Sequence, residues 1–449
     1  MAARNDLGGW AASYDPSMND LDLARSQMAM SLGFHIVFAA MGIGMPVLMC
    51  VAEALHLRTG RAVYLDLCKR WARGTAVLFA VGAVSGTVLS FELGLLWPGF
   101  MKEAGAIIGM PFSLEGFAFF SEAIFLGVYL YGWKRIPPFM HWLSGIVLAL
   151  SGILSGVFVV TANAWMNAPA GFKRVEGKFT EIDPIAAMLN PGSLHEVLHM
   201  TLAAFVALGF AVAGVHAFLL LRDRRSEFHR AALGIALIVA CVSAPLQIVS
   251  GDFSARSVAK LQPAKLAAME AHYHTEEGAP LFIGGLPNDE QKTIEYALRI
   301  PNGLSFLATH DPNARIVGLE EFPRADWPNV CIVHWAFDLM IGCGMALLGV
   351  SMWTGWRWWR KHPLPDSTWL LRALVLASPL GFVALEAGWV VTEVGRQPWI
   401  IQGIMRTSEA VTPMRFIVVP FTAFTLLYFF LAVIVVLLLR RQFLESSHV

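Results

Sequence analysis

Apolar residues along the chain do not alternate with polar ones. They gather into runs of about twenty or more, separated by shorter polar stretches. Such a run, wound at about 1.5 Å per residue, matches the thickness of a bilayer's hydrocarbon core. Nine runs predict nine spans, over about 25–52, 74–98, 111–133, 142–165, 194–221, 230–250, 329–354, 369–393 and 414–440. A backbone in lipid has to satisfy its own hydrogen bonds, so each span is expected as a helix. The expected fold class is an all-α polytopic membrane protein of about nine transmembrane helices, with a long outer loop between helices six and seven.

That loop covers residues 251–328 and divides the chain into membrane helices one to six (1–250), the loop, and membrane helices seven to nine (329–449). It joins a stretch of helical pattern, AKLAAMEAHYHTEE, to turn-rich segments such as GGLPNDEQ. A connection this long is more often functional or a docking surface than slack. The first, third, fifth and seventh connections (HLRTGRAVYLDLCKRWAR, GWKRIPP, LRDRRSEFHR, GWRWWRKH) and the C-terminal LRRQF are basic. All five fall on one side of a nine-span chain, and the positive-inside rule makes that side cytoplasmic. The N-terminus is then outside and the C-terminus cytoplasmic. The polar N-terminal segment, MAARNDLGGWAASYDPSMNDLDLARSQ, lacks a signal-peptide core, so the first span is expected to direct insertion.

Composition agrees: 56% of the 449 residues are hydrophobic and 15% charged, where soluble proteins carry about 25%. Lys+Arg and Asp+Glu balance at 33 each, so no excess of positive charge argues for nucleic acid. Cys50, Cys68, Cys241, Cys331 and Cys343 form no CxxC pair and read as packing residues rather than a disulfide frame or an iron–sulfur site.

Ionisable groups inside lipid spans are rare and point to function. His35 stands in SLGFHIVFAAMG with no charge nearby; it reads either as bonded to a neighbouring helix or as an axial haem ligand. Glu115 and Glu122 are two turns apart and share a face, as a proton relay or cation site requires, although each could satisfy a separate partner. Glu386 and Glu393 repeat that spacing in span eight, and Glu92 adds an acid near the outer end of span two. In span five His195 lies at the helix start beside Glu196, where solvent can reach it; His199, one turn deeper, is the better ligand candidate. Span seven offers His334, Asp338 and Met340. Methionine in lipid is usually packing, but paired with a facing histidine it completes a low-spin haem site. All the ligand candidates fall in the outer half of the membrane, the shared depth that a cluster of cofactors needs.

These residues carry a resemblance. TEVGRQPW after EAGWVV, with LEGFAFF, TANAWMNAP, NP followed by seven residues and His199, and QPAKLAAMEA, resemble subunit I of the cytochrome bd-type quinol oxidases over nearly the whole chain. The resemblance implies a respiratory terminal oxidase of the bacterial cytoplasmic (inner) membrane that oxidises quinol and reduces dioxygen to water, drawing its protons from the cytoplasmic side. It implies two haem b plus one haem d, or a third haem b, and no copper. His35 then matches the ligand of the oxygen-binding haem and Glu393 that of the neighbouring high-spin haem b. His199 and Met340 match the pair on the low-spin haem b. Glu115, Glu122 and Ser155 match the polar positions that bring protons, and Lys265 and Glu270 match the quinol-associated residues. Arg396 matches the arginine beside the haem propionates, with Gln397 offering a hydrogen bond, Trp399 an interfacial anchor and Pro398 the end of the helix. The implied partners are a second multi-span subunit and a small single-span accessory subunit.

The sequence departs from the family in two places. AFDLM puts Asp338 where members commonly have arginine, two residues before the methionine ligand; an ionised acid there would lower the haem potential, with His334 as a compensating partner. The Glu115–Glu122 spacing is one residue shorter than in some members, and the outer loop is the short form. Two rivals stay open: a membrane haem protein that oxidises quinol without reducing oxygen, and a proton- or cation-coupled transporter built on Glu115, Glu122, Glu386 and Glu393, although neither repeated halves nor broken helices show in the sequence.

Overall fold

The computed structural model describes residues 16–364, 367–414 and 416–445; the N-terminal stretch 1–15 and residues 446–449 lie outside them. The helices in chain order begin with α1 (Pro16–Thr59), α2 (Ala62–Leu96), α3 (Pro98–Tyr131), α4 (Pro138–Asn167) and the short α5 (Pro184–Met188). Then come α6 (Ser193–Arg222), α7 (Glu227–Leu261), α8 (Pro263–Met269), α9 (Gly303–Thr309) and α10 (Val330–Trp359). The last are α11 (Thr368–Ala377), α12 (Leu380–Val394), α13 (Thr407–Ala410) and α14 (Val418–Glu445). Among the described residues nine spans are long and apolar enough to cross a membrane, counting α11 and α12 together.

Burial orders the bundle. The most apolar stretch of α6 is 61% buried and that of α14 only 17%, so α6 is central and α14 lies at the rim. Around α6 pack α1, α4, α7, α11 and α12. Phe210, Ala213, Ala217 and Leu220 of α6 join Leu370, Leu371 and Leu374 of α11 in one buried cluster. Leu426, Phe429 and Phe430 of α14 face outward, as a lipid-contacting helix requires.

Several boundaries differ from the sequence expectation: α1 is longer at both ends than 25–52, and α2 and α3 begin at Ala62 and Pro98 rather than near 74 and 111. Span eight, expected unbroken over 369–393, is two pieces. Pro379 has no N–H and its ring collides with the preceding turn, so the helix stops at Ala377 and Ser378 N bonds Val375 O at 3.3 Å instead. Gly381 at the restart packs on the backbone of Ala207 in α6, where a side chain would overlap it. Span six runs past residue 250 to Leu261. The helical pattern expected over 264–277 ends at Met269, after which Ala271 takes φ +46°.

The rest of that connection folds into short antiparallel pairs: Glu276–Glu277 with Arg315–Ile316, Leu281–Ile283 with Leu298–Ile300, and Leu286–Asn288 with Thr293–Glu295. With α8 and α9 it caps one end of the bundle, the loop face. The end of α4, the hairpin Lys173–Thr180 and the start of α6 lie at the same end.

Candidate cofactor centre

Between α1, α2, α3, α4 and α12, toward the loop face, lies a cavity of about 940 Å³. That is at the upper end of the roughly 300–1,000 Å³ typical of ligand and cofactor sites. Its walls are largely apolar, with Phe38, Phe79, Phe112 and Trp389 among them. Into it come His35, Glu115, Glu122, Ser155, Glu393, Arg396 and Gln397, seven of the residues singled out from sequence. His199, Met340, Lys265, Glu270 and Trp399 do not line it.

His35 is held by its neighbour helix in a way that fixes its proton. Ser85 Oγ in α2 donates to Val81 O at 2.9 Å, so its lone pair faces His35 Nδ1, also 2.9 Å away. Nδ1 is then the protonated nitrogen and Nε2 keeps its lone pair, the form that binds a metal. Beside the ring sits Gly86, where a Cβ would come within 2.9 Å of His35 Cε1.

His199 repeats the device. Ser250 Oγ in α7 donates to Gln247 O at 2.9 Å and accepts from His199 Nδ1 at 2.9 Å. Gln247 Nε2 stands beside the same ring, 3.1 Å from His199 Nε2 and 3.3 Å from Nδ1. Met340 lies across the next pair of helices, its Sδ 3.1 Å from where a Cβ of Gly388 in α12 would be. The helices carrying these residues, α6, α7, α10 and α12, pack successively against one another.

At the cavity's loop-face rim the GRQPW segment enters a buried polar network. Glu393 Oε2 pairs with Arg396 Nη2 and Oε1 accepts from Asn163 Nδ2, both at 2.5 Å. Arg396, 3% exposed, also donates to Asn167 Oδ1 at 3.3 Å. The same oxygen accepts from Lys265 Nζ at 3.0 Å and Gln262 Nε2 at 3.1 Å, while Asn167 Nδ2 donates to Glu196 at 3.0 Å. Asn167 thus ties α8, which carries Lys265, to the acid and arginine at the cavity. Burial holds the Lys265 ammonium below its ordinary range, with Glu196 pulling the other way. Burial pushes Glu270 up to about 8, and the nearby Asp338 charge adds to this.

The other acids separate. Glu122 is buried between Gly42 of α1 and Gly152 of α4. Glu115 accepts from Ser155 Oγ at 3.4 Å. Glu386 lies against Gly33 of α1, and its buried Oε1 has no partner among the described residues. Glu92 is fully buried and takes Gln27 Nε2 at 2.9 Å.

Several expectations need correction. His195 is not reached by solvent: it is 4% exposed and meets Phe253 edge-on, because α7 packs along α6 and brings Phe253 against it. Pro398 does not end α12. The helix stops at Val394, and Pro398 sits in the turn that follows, before the hairpin of Trp399–Ile401 with Met405–Arg406. Trp399 is covered by the Arg406 guanidinium at 4.9 Å.

Sequence reading passed over Asn163 and Asn167, whose signal was two amides four apart at the end of an apolar helix. It also missed a pair at the opposite end of the bundle. His141 Nδ1 lies 2.7 Å from Glu53 Oε1 and Nε2 2.9 Å from Tyr129 O, with both side chains almost fully buried. At the depth of Glu122, Ser151 donates to Ser121 at 2.9 Å.

The donor set fits haem. An imidazole and a carboxylate of the kind that bind haem iron line an aromatic-walled cavity with an arginine suited to propionates, and a second imidazole and a thioether stand outside it on α6 and α10. Among the described residues no three His, Cys, Asp or Glu converge as a cage of side chains would.

Comparison with known proteins agrees. Residues 23–447 match the family described as cytochrome bd terminal oxidase subunit I. A Bacillus subtilis protein described as a putative cytochrome bd menaquinol oxidase subunit I is 38% identical over 92% of this chain and 94% of its own length. The cytochrome bd-II ubiquinol oxidase subunit 1 of Escherichia coli is 28% identical over 87% of this chain and 89% of its own. The solved bd oxidase of Geobacillus thermodenitrificans superposes with a TM-score of 0.89 at 36% identity, covering 96% of this chain and 99% of that one. Nine apolar spans, the order of the motifs and this likeness over almost the full length lead to one conclusion: the chain belongs to the cytochrome bd terminal oxidase subunit I family.

Proposed function

We propose that this chain is the haem-carrying subunit of a bacterial inner-membrane respiratory oxidase that takes electrons from quinol and reduces dioxygen to water. The observation that carries the reading is the paired serine–histidine device. In two separate places a serine of a neighbouring helix accepts from the histidine Nδ1–H and so leaves the lone pair on Nε2, once at a large apolar cavity and once where α6 meets α7. In this reading His35 and Glu393 each hold one of two adjacent high-spin haems, and His199 with Met340 holds a low-spin haem b. Two haem b with one haem d, or three haem b, would supply one-electron chemistry and an open position for dioxygen. Arg396 neutralises a propionate that would otherwise be costly at low dielectric. Gln397, fixed by Thr407 Oγ1 at 2.9 Å, offers its amide at the rim, and Trp399 anchors the turn at the surface.

Quinol binds near Lys265 and Glu270 on the loop face, the outer side by the charge of the connections. Protons for oxygen chemistry come from the opposite, cytoplasmic side. Glu53 and His141 gather them, and Glu122, Glu115 and Ser155 deliver them at the cavity. Opposite delivery of protons and quinol separates charge without a dedicated pump. A second multi-span subunit and a small accessory subunit complete the complex.

The test is a pyridine haemochrome spectrum and quinol-driven oxygen consumption of the purified complex. Three haems and oxygen uptake are expected; a native, fully assembled complex with no bound tetrapyrrole would overturn the reading.

Glu270 gives a pH signature. Its raised value means the carboxyl is mostly protonated at neutral pH, and its ionised, proton-accepting fraction grows as pH passes about 8. If it accepts a quinol proton, kcat/KM for quinol should climb between about pH 7 and 9 and then level. Glu270→Gln should flatten that limb; a limb that survives unchanged assigns the titration elsewhere.

A further inference from the structure

Asp338 stands two residues before Met340, yet its carboxylate is directed at the loop. Oδ2 accepts the backbone N–H of Gly284 at 2.5 Å. One turn earlier on α10, His334 is fully buried, its Nε2 3.1 Å from Gly284 O and 3.6 Å from Asp338 Oδ2. Its Nδ1 lies 2.8 Å from Met269 O, at the last residue of α8. Two side chains of α10 therefore grip both polar groups of one loop residue and tie it to the helix that carries Lys265 and leads into Glu270. Gly284, at φ +65°, is the turn between Leu281–Ile283 and Leu286–Asn288, so fixing it fixes both strands. An arginine at position 338 could not do this, since it has no acceptor to offer an N–H.

We propose that His334 and Asp338 are positioning residues for quinol, a clamp that holds loop segment 281–288 over Lys265 and Glu270. The proposal rests on the reading above that quinol binds at those two residues. It also reassigns Asp338: what matters is its acceptor oxygen, not its charge near the low-spin haem.

The experiment uses the purified two-subunit oxidase with a soluble quinol. Asp338→Ala removes the acceptor, and Asp338→Asn keeps an acceptor oxygen while removing the charge. For Asp338→Ala, KM for quinol should rise by up to about tenfold, the scale of one lost hydrogen bond. In the same variant kcat should stay within about twofold, the low-spin spectrum should persist, and limited proteolysis within 281–300 should speed up. Asp338→Asn should restore both KM and protease resistance. Failure of Asn to rescue, or a spectrum lost along with KM, overturns the clamp in favour of the charge. Unchanged proteolysis in Asp338→Ala overturns it outright. Faster proteolysis with unchanged KM keeps the clamp but refutes quinol binding at Lys265 and Glu270. If Asp338→Ala does not assemble, His334→Gln, which gives up one of the two carbonyl contacts, carries the same expectations.

Discussion

Replacing His35 by alanine is expected to lower quinol-driven oxygen consumption by more than about a hundredfold while leaving the complex assembled. Loss of a hydrogen-bond partner behind a metal ligand costs roughly 10–100-fold in metal affinity or activity, and loss of the ligand itself should exceed that. Assembly should survive because the ring faces the cavity and is half-covered, whereas the neighbours that hold α1 in place, Ile36, Ala40 and Ile43, are buried apolar residues untouched by the change. Ser85→Ala is the graded control. It removes the oxygen that accepts the Nδ1–H hydrogen bond but leaves the ring, so its loss should fall inside the 10–100-fold range, about what outer partners of metal ligands are worth. The measurements are oxygen uptake and the haemochrome spectrum of each variant. If His35→Ala keeps its full complement of haem and turns over normally, His35 is a packing histidine and the assignment of the oxygen site falls.

What the sequence could and could not reveal follows from what a linear pattern encodes. Hydropathy runs fix how many times the chain crosses and how deep each residue sits, because depth is a count of residues at a constant rise. His35, Glu115, His199, Met340 and Glu393 were therefore legible as a shared layer before any fold existed. The face a residue presents is much less legible. Nothing in SLHEVLHM says that His195 is sealed by Phe253, because the sealing comes from a helix almost sixty residues on. Glu53 and His141 lie 88 residues apart and each reads alone as an unremarkable residue near a helix end. Their pairing depends on α1 and α4 being neighbours, which no local period announces. Pro379 was visible, but the apolar run continued across it without a polar break, and hydropathy outvoted the missing N–H.

Asp338 shows the limit from the other side. Read along the chain, an acid two residues from a ligand methionine looks like an electrostatic disturbance of a haem. In three dimensions a carboxylate acts through whatever N–H it meets, and here that is a backbone group folded back from the loop. The charge argument and the hydrogen-bond argument start from the same residue and predict opposite results for Asp338→Asn. Substitution, rather than more sequence, separates them.

His199→Ala and Met340→Leu should each remove the low-spin haem signal from the reduced-minus-oxidised spectrum while the high-spin bands persist. The selectivity follows from location. Neither residue lines the 940 Å³ cavity, and the two sit on α6 and α10, whereas His35 and Glu115 come from α1 and α3. Met340→Leu is the more telling of the two. Leucine has nearly the volume of methionine, so the packing of Phe337, Val391 and their neighbours changes by less than about 1.5 kcal/mol, while the thioether that can bind iron is gone. A loss of spectrum in Met340→Leu is then a loss of a ligand and not of a fold. Turnover with quinol should fall to background in both variants, because electrons would have no first acceptor, yet oxygen reduction by an artificial donor that bypasses that haem should persist. A low-spin signal intact in both variants would mean that the serine–histidine device at His199 orients a structural ring, and that the electron acceptor lies elsewhere in the complex.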